Sequence, residues 1–164
     1  MSQTPVILEH PGFTDIDRHF AQFINHFSEG DLPAVAAAML SRNMRHGHIC
    51  LDLGRGPVQF EEPVPAFTWP DEKTWQKAFT KSRAVGGPDD GRPLVLDEAG
   101  RFYLRRYWEY EKALARGILI RRQDQTPINP GTGDLQELAI ETALARRFVV
   151  ISGGLGTGKT TTVL

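Results

Sequence analysis

Residues 148–164 have the sequence FVVISGGLGTGKTTTVL, in which three kinds of segment follow one another. Residues 148–151 are a continuous apolar run, which is typical of a β-strand covered on both faces. A glycine-rich stretch, 153–158, comes next, and the residues after it are compatible with a helix. The order strand, glycine-rich turn and helix predicts the start of an α/β domain.

The glycine-rich stretch matches G-x-x-x-x-G-K-[ST], the pattern of a phosphate-binding loop. Glycines let backbone N–H groups point at phosphate oxygens, and the following helix N-terminus adds positive charge. Lys159 would neutralise the terminal phosphates and the hydroxyl of Thr160 would bind Mg²⁺, which makes these two the predicted catalytic residues. The alternative is a glycine-rich turn with a surface lysine. The residues predicted to hold ATP and Mg²⁺ are Gly153, Gly154, Gly156, Thr157, Gly158, Lys159, Thr160 and Thr161.

A helix is predicted just before the apolar run. Asp134 can cap it, and Glu137, three residues on, completes a pair like a capping box. Residues 123–133 (QDQTPINPGTG) contain two prolines and two glycines and no apolar periodicity, which is typical of a linker. The predicted organisation is therefore an N-terminal domain over 1–122, a linker over 123–133, and the beginning of an α/β domain over 134–164.

The N-terminal domain is predicted to be α+β, mainly helical with a short β-hairpin. Helices are expected at 31–44, at 105–116 and after Asp71 as far as Gly86; a strand is expected at 48–53; and a hairpin is expected to join 94–96 to 102–104. Another helix carries an apolar stripe made of Phe13, Ile16, Phe20, Phe23, Ile24 and Phe27. We expect this stripe to lie in the core, although an exposed edge of it would suit a partner subunit.

Composition excludes several classes of protein. Nineteen Lys and Arg against 20 Asp and Glu give a net charge of −1, so the chain is not a polycationic coat for nucleic acid. No apolar run is long enough for a membrane span, and the N-terminus lacks the features of a secretory signal. A single cysteine, Cys50, excludes an internal disulfide. A cytoplasmic location is therefore predicted.

Residues 135–163, LQELAIETALARRFVVISGGLGTGKTTTV, resemble the start of the motor domain of a superfamily 1 DNA helicase. The GGxGTGKTTT form of the loop is especially similar to the RecD family, the alpha subunit of exodeoxyribonuclease V. The resemblance implies that Gln136, 17 residues before Gly153, recognises the adenine edge. Leu155 departs from the family, which usually has proline there; the loop loses some rigidity but no phosphate-contacting group.

Two upstream segments, residues 34–53 and 92–115, resemble the N-terminal domain of the RecD family. The resemblance implies an ATP-dependent 5′-to-3′ helicase that acts on double-stranded DNA ends and single-stranded DNA in break repair and recombination. It also implies RecC-like and RecB-like partner subunits, with the N-terminal domain docking to RecC. Two alternatives remain open: another superfamily 1 helicase outside such a complex, and a protein-interaction module with a non-functional phosphate loop.

A P-loop motor also needs an acidic ligand for Mg²⁺, a group that positions water, and usually an arginine finger. None of these occurs between Thr160 and Leu164. We therefore expect this chain to contain only the first part of a motor, to hydrolyse no ATP by itself, and to pack loosely beyond about residue 123.

Residues 101–122 combine seven Lys or Arg with five aromatic residues and only two acidic ones, Glu109 and Glu111. The favoured interpretation is a core helix whose rings point inward and whose arginines are solvated. Contact with nucleic acid or with a partner subunit is the alternative.

Overall fold

The computed structural model describes residues 6–60, 67–122, 134–154, 156 and 159. The chain divides into two compact units, Met1–Tyr110 and Glu111–Leu164. The predicted linker, 123–133, lies outside the described residues. None of the helices in the described ranges is both long and apolar enough to cross a bilayer.

The described residues form five α-helices and four short strands. The helices are α1 (Asp15–Asn25), α2 (Leu32–Arg45), α3 (Glu72–Thr80), α4 (Arg105–Arg122) and α5 (Leu135–Ala145); the strands are β1 (Leu51–Asp52), β2 (Val85–Gly86), β3 (Leu94–Leu96) and β4 (Arg101–Leu104); 3₁₀ turns occupy Val6–Glu9 and Gly56–Gln59. The strands make one sheet in the order β1-β4-β3-β2. The β1–β4 and β3–β4 pairs are antiparallel, and β2 pairs with β3 in parallel. This mixture of helices and a small sheet confirms the predicted α+β class.

Helix α2 lies at the centre of the first unit. Pro33 occupies its first turn, where a missing N–H costs nothing, and the next residues are mostly alanine. Small side chains let neighbouring elements approach closely, and α2 contacts α1, α3, β1 and β4. Every residue from Pro33 to Leu40 is buried, including the large side chains of Val35, Met39 and Leu40.

Helix α3 is joined to the sheet by stacked aromatic rings. Its N-terminus is capped by Asp71, whose carboxylate accepts a hydrogen bond of 2.8 Å from the N–H of Thr74. One turn later, the buried rings of Trp75 and Phe79 stack on each other, with centroids 5.5 Å apart. Phe79 also stacks on Phe102 of β4, at 4.8 Å and with planes only 5° apart. The aromatic core therefore extends from α3 onto the middle of the sheet.

The predicted hairpin is present between β3 and β4. Leu94 pairs with Leu104, and Leu96 pairs with Phe102. The Asp97 carboxylate accepts hydrogen bonds from the N–H groups of Ala99 and Arg101, which closes the turn. Gly100 has a φ of +76°, a conformation that glycine adopts without strain.

Three predicted elements of the first unit have different bounds in the structure. The strand expected at 48–53 is reduced to Leu51–Asp52. The helix expected to run as far as Gly86 ends at Thr80, because Val85–Gly86 joins the sheet as β2. A Cβ atom at Gly86 would lie only 2.6 Å from the Asp90 carboxylate, so this glycine permits a close approach rather than ending a helix. Helix α4 continues to Arg122, beyond its predicted end at 116.

In the second unit, the expectation of a strand at 148–151 is wrong. These residues form no strand, and Val150 is 73% exposed. A strand is held by hydrogen bonds to its neighbours, and no strand of the described chain lies in the second unit. An apolar run by itself does not supply those partners.

Candidate functional site

The described part of the phosphate-binding loop brings Gly153, Gly154 and Lys159 together. The Nζ atom of Lys159 donates hydrogen bonds to the carbonyl oxygens of Gly153, at 2.6 Å, and Gly154, at 2.5 Å. Gly156 has a φ of +78°, which favours glycine at this position. The lysine side chain thus lies back across its own loop, and its ammonium group is held by backbone oxygens.

Several predicted site residues cannot be placed. Leu155 and the predicted ligands Thr157, Gly158, Thr160 and Thr161 lie outside the described residues. The magnesium-binding role of Thr160 therefore remains a prediction.

Gln136, the predicted adenine-recognising residue, lies in the first turn of α5 and is exposed. Its backbone N–H donates a hydrogen bond of 3.0 Å to the Asp134 carboxylate, which confirms Asp134 as the helix cap. The structure places Gln136 on the helix that precedes the loop, as the sequence indicated. The adenine-recognising role of its side chain stays a prediction.

Helix α1 exposes one edge of its apolar stripe. On α1, Ile16 is 66% exposed and Phe23 is 55% exposed, and Phe27, two residues after the helix ends, is 38% exposed. We call these three residues the α1 face. The rings of Phe23 and Phe27 pack edge to face with centroids 5.2 Å apart. This arrangement presents a pre-packed apolar surface.

The prediction that the whole stripe is core is therefore half right. Phe13 and Ile24 are buried, whereas the α1 face is not. The residues of α1 that are buried are Asp17, Ala21 and Ile24. At 3.6 residues per turn they define a side of the helix that is rotated away from the centre of the apolar stripe. Asp17 enters the core because Arg45 of α2 pairs with it, and periodicity alone does not reveal such a partner.

The start of α4 carries a second exposed cluster. The Arg106 guanidinium lies 5.0 Å from the centre of the Tyr107 ring, and the Tyr107 and Tyr110 rings pack edge to face at 6.1 Å. Tyr110 is 62% exposed, and no residue of α4 is buried. Trp108 by contrast is half-buried and packs on Tyr103 at 5.3 Å. The expectation of inward-pointing rings thus holds for Trp108 and is wrong for Tyr110.

Comparison with known proteins gives the family. The domain family described as "RecBCD enzyme subunit RecD, N-terminal domain" matches residues 9–103, more than half of the chain. The RecBCD enzyme subunit RecD of Mycolicibacterium smegmatis is 31% identical over 157 residues, which are 90% of this chain and 27% of that protein. The corresponding protein of Mycobacterium tuberculosis is 33% identical over 139 residues, which are 79% of this chain and 23% of that protein.

A more distant relative has the same name. The RecBCD enzyme subunit RecD of Buchnera aphidicola subsp. Schizaphis graminum is 24% identical over 177 residues, covering 92% of this chain and 28% of that protein. The chain thus spans about a quarter of the length of the curated relatives it matches. The match over residues 9–103 covers most of the first unit, including α1, α2, α3 and all of the sheet except Leu104. The chain therefore belongs to the RecD family, with the RecD N-terminal domain at residues 9–103.

Proposed function

We propose that this chain is the N-terminal part of an ATP-dependent 5′-to-3′ DNA helicase subunit of a bacterial exodeoxyribonuclease V. In that proposal the complex acts in the cytoplasm on broken double-stranded DNA, in repair and recombination. The first unit is the docking domain, and the second contains the beginning of the motor. The observation that carries the docking role is the exposed α1 face on a domain whose relatives are named as subunits of the RecBCD enzyme.

The α1 face has the chemistry of a protein-binding surface. Large apolar side chains that cluster on a surface mark an interaction site, and aromatic residues contribute most of the binding energy in many interfaces. Fully burying one such side chain contributes about 1.5–3 kcal/mol. Phe23 and Phe27 already contact each other, so they lose little conformational freedom when a partner covers them. We propose a RecC-like subunit as that partner, with a RecB-like subunit in the same complex.

The phosphate-binding loop has groups that suit ATP. The Lys159 ammonium interacts with the Gly153 and Gly154 carbonyl oxygens, and phosphate oxygens are stronger acceptors for the same ammonium. The proposed binding residues in the intact protein are Gln136 for adenine, the loop glycines and Thr157 for phosphates, and Thr160 and Thr161 beside Mg²⁺. Bound Mg²⁺ would neutralise charge on the phosphates.

Docking is tested by measuring the affinity of the 164-residue chain for the RecC-like subunit of its own organism, by biolayer interferometry. We expect the Phe23→Ser/Phe27→Ser double variant to bind at least about 30-fold more weakly, the equivalent of 2 kcal/mol. Val58→Ser is the matched control, because Val58 is an exposed apolar residue outside the α1 face. An unchanged affinity of the double variant, with an unchanged melting temperature, would exclude the α1 face as the docking surface.

A second variant separates docking from the motor. Lys159→Ala removes the charge of the phosphate loop and leaves the α1 face untouched. We expect it to dock with wild-type affinity and, in the intact protein, to lose ATP binding. If the intact Lys159→Ala protein bound ATP with wild-type affinity, this loop would not be the ATP site. That result would favour an interaction module whose phosphate loop has no function.

A further inference from the structure

The first two turns of α4 expose a cationic and aromatic group that the docking and nucleotide sites do not use. We call Arg106, Tyr107 and Tyr110 the α4 cluster. The Arg106 guanidinium lies 5.0 Å from the Tyr107 ring centre and 3.5 Å from its hydroxyl. Tyr110 completes the cluster, with its ring 6.1 Å from that of Tyr107 and mostly exposed. The ring of Tyr110 and the guanidinium of Arg106 are therefore open to a ligand.

The charge of this region indicates the kind of ligand. Residues 101–122 have seven Lys or Arg and two Glu, a surplus of five positive charges. The whole chain has a net charge of −1, so the remaining residues carry a surplus of six negative charges. Arg101 of β4 pairs with Asp97, so the unbalanced positive charge lies on α4, which has six Lys or Arg and two Glu in an otherwise acidic chain. Such a segment attracts a polyanion, and aromatic residues alone would not distinguish a polyanion from a protein.

The neighbouring arginine has a different task. The Arg105 guanidinium donates hydrogen bonds to the carbonyl oxygens of Arg92, Pro88 and Gly87, and so it holds a loop of the domain. Arg106, the next residue, is exposed, and its guanidinium contacts the ring and the hydroxyl of Tyr107. Its charge is available to solvent and hence to a phosphate.

We propose that the α4 cluster binds single-stranded DNA. The exposed ring of Tyr110 stacks on a base, and Arg106, held beside it by the half-buried Tyr107, pairs with a backbone phosphate. Stacking requires base faces that a duplex does not expose, and it tolerates any sequence. The choice of DNA as the polyanion rests on the proposed role in DNA processing, but binding here requires neither ATP nor the motor.

The proposal is tested by fluorescence anisotropy with a labelled oligothymidine of about 20 nucleotides, using the 164-residue chain without nucleotide. We expect Tyr110→Ala to weaken binding about tenfold, and Tyr110→Phe, which keeps the ring, to bind within about twofold of wild type. Arg106→Ala should weaken binding and reduce the slope of log affinity against log salt by about 0.7, one phosphate contact on a single strand. Lys77→Ala is the control, because it removes an exposed charge from α3.

Three results would overturn the proposal. The first is that Tyr110→Ala binds oligothymidine as tightly as wild type. The second is that Lys77→Ala weakens binding as much as Arg106→Ala does, which would indicate unspecific charge attraction. The third is a duplex of the same length that binds as tightly as the single strand.

If Tyr110→Ala instead lowered affinity for the RecC-like subunit and left DNA binding unchanged, the cluster would be a protein interface. The Phe23→Ser/Phe27→Ser variant should retain DNA binding, so the proposed docking can fail without affecting this result.

Discussion

At the scale of single residues, Asp17 is a fully buried carboxylate that joins α1 to α2 through its pair with Arg45. One of its oxygens accepts hydrogen bonds from the N–H of Thr14, at 2.8 Å, from the Thr14 hydroxyl, at 2.9 Å, and from Arg45, at 2.7 Å. Burial alone would raise the pKa of Asp17, but hydrogen bonds from Arg45, Ser41 and Thr14 outweigh it and hold the pKa below its ordinary value. The side chain is therefore charged in the folded protein.

Replacing Asp17 with asparagine should lower the free energy of unfolding by about 2–4 kcal/mol, because the charge that pairs with Arg45 is lost inside the fold. Chemical denaturation in urea measures the change. Asp15→Asn is the matched control: Asp15 is on the same helix and pairs with Arg18, but its side chain is 88% exposed. That exposed pair should contribute less than about 1 kcal/mol. Equal effects of the two substitutions would contradict the role given to Asp17.

The stability of the domain should also depend on the ionisation of Asp17. Its folded-state pKa lies below its unfolded-state pKa, so the unfolded chain takes up the proton first as the pH falls. The contribution of the charged carboxylate is complete above the unfolded pKa of about 3.9 and is lost as the pH falls through the lower folded value. Urea denaturation between about pH 6 and pH 2 should show this loss for wild type. A fall of the same size in Asp17→Asn would mean that other groups cause it.

At the scale of secondary-structure elements, the junction of β4 and α4 organises one side of the first unit. The strand ends at Leu104 and the helix begins at Arg105, with no residue between them. The Arg105 side chain holds the loop between β2 and β3 by three carbonyl oxygens. Arg92, within that loop, donates to the carbonyl oxygens of Ser82 and Val85. Two arginines thus stabilise a loop that has few apolar residues of its own.

Replacing Arg105 with alanine should lower the free energy of unfolding by about 2 kcal/mol, since charge-assisted hydrogen bonds to three carbonyl groups are lost. Thermal denaturation followed by circular dichroism measures the effect. Arg106→Ala should change the free energy of unfolding by less than about 0.5 kcal/mol, because Arg106 is an exposed residue. A large loss of stability for Arg106→Ala would show that Arg106 also supports the fold.

At the scale of the whole molecule, the two units differ in how well they bury their apolar residues. The first has a core that extends from α1 through α2 and α3 to the sheet. In the second, α5 has no buried residue, and Leu135 and Leu144 are both at least 80% exposed. Exposed apolar residues on a helix and on the following run are typical of a surface that binds another polypeptide segment.

Hydrogen exchange should reveal this difference. We expect the amides of residues 148–151 to exchange within about tenfold of the rate in an unstructured peptide, because no strand among the described residues pairs with them. The amides of Leu94–Leu96 and Arg101–Leu104 belong to the sheet and should exchange at least about 1000-fold more slowly. Strong protection of residues 148–151 in the monomeric chain would contradict the expected loose packing of the second unit.

Nucleotide hydrolysis by the 164-residue chain should be absent. Phosphoryl transfer to water requires an acidic magnesium ligand and a group that positions the water, and residues 161–164 supply neither. Phosphate release should therefore equal that of the Lys159→Ala variant in a malachite-green assay. A rate above that control would mean that other residues of the chain complete a catalytic site.

Much of the fold could be predicted from the sequence because the signals concerned are local. Asp134 caps α5 as expected, and Asp71 caps α3 in the same way, since a short polar side chain reaches N–H groups only a few residues away. The hairpin closed by residues 97–100 depends in the same way on a carboxylate and a glycine within its own turn. The phosphate-loop pattern indicated the RecD family, which the match over residues 9–103 confirms.

Only the tertiary structure decided which apolar residues are covered. Periodicity predicted one buried stripe on α1, but the buried side of the helix contains Asp17, paired with Arg45, and leaves Phe23 and Phe27 exposed. The apolar run at 148–151 forms no strand, because the described second unit offers no strand to pair with it. Burial and sheet pairing depend on neighbours that are distant in the sequence, whereas caps and turns are determined by residues within one or two turns of the chain.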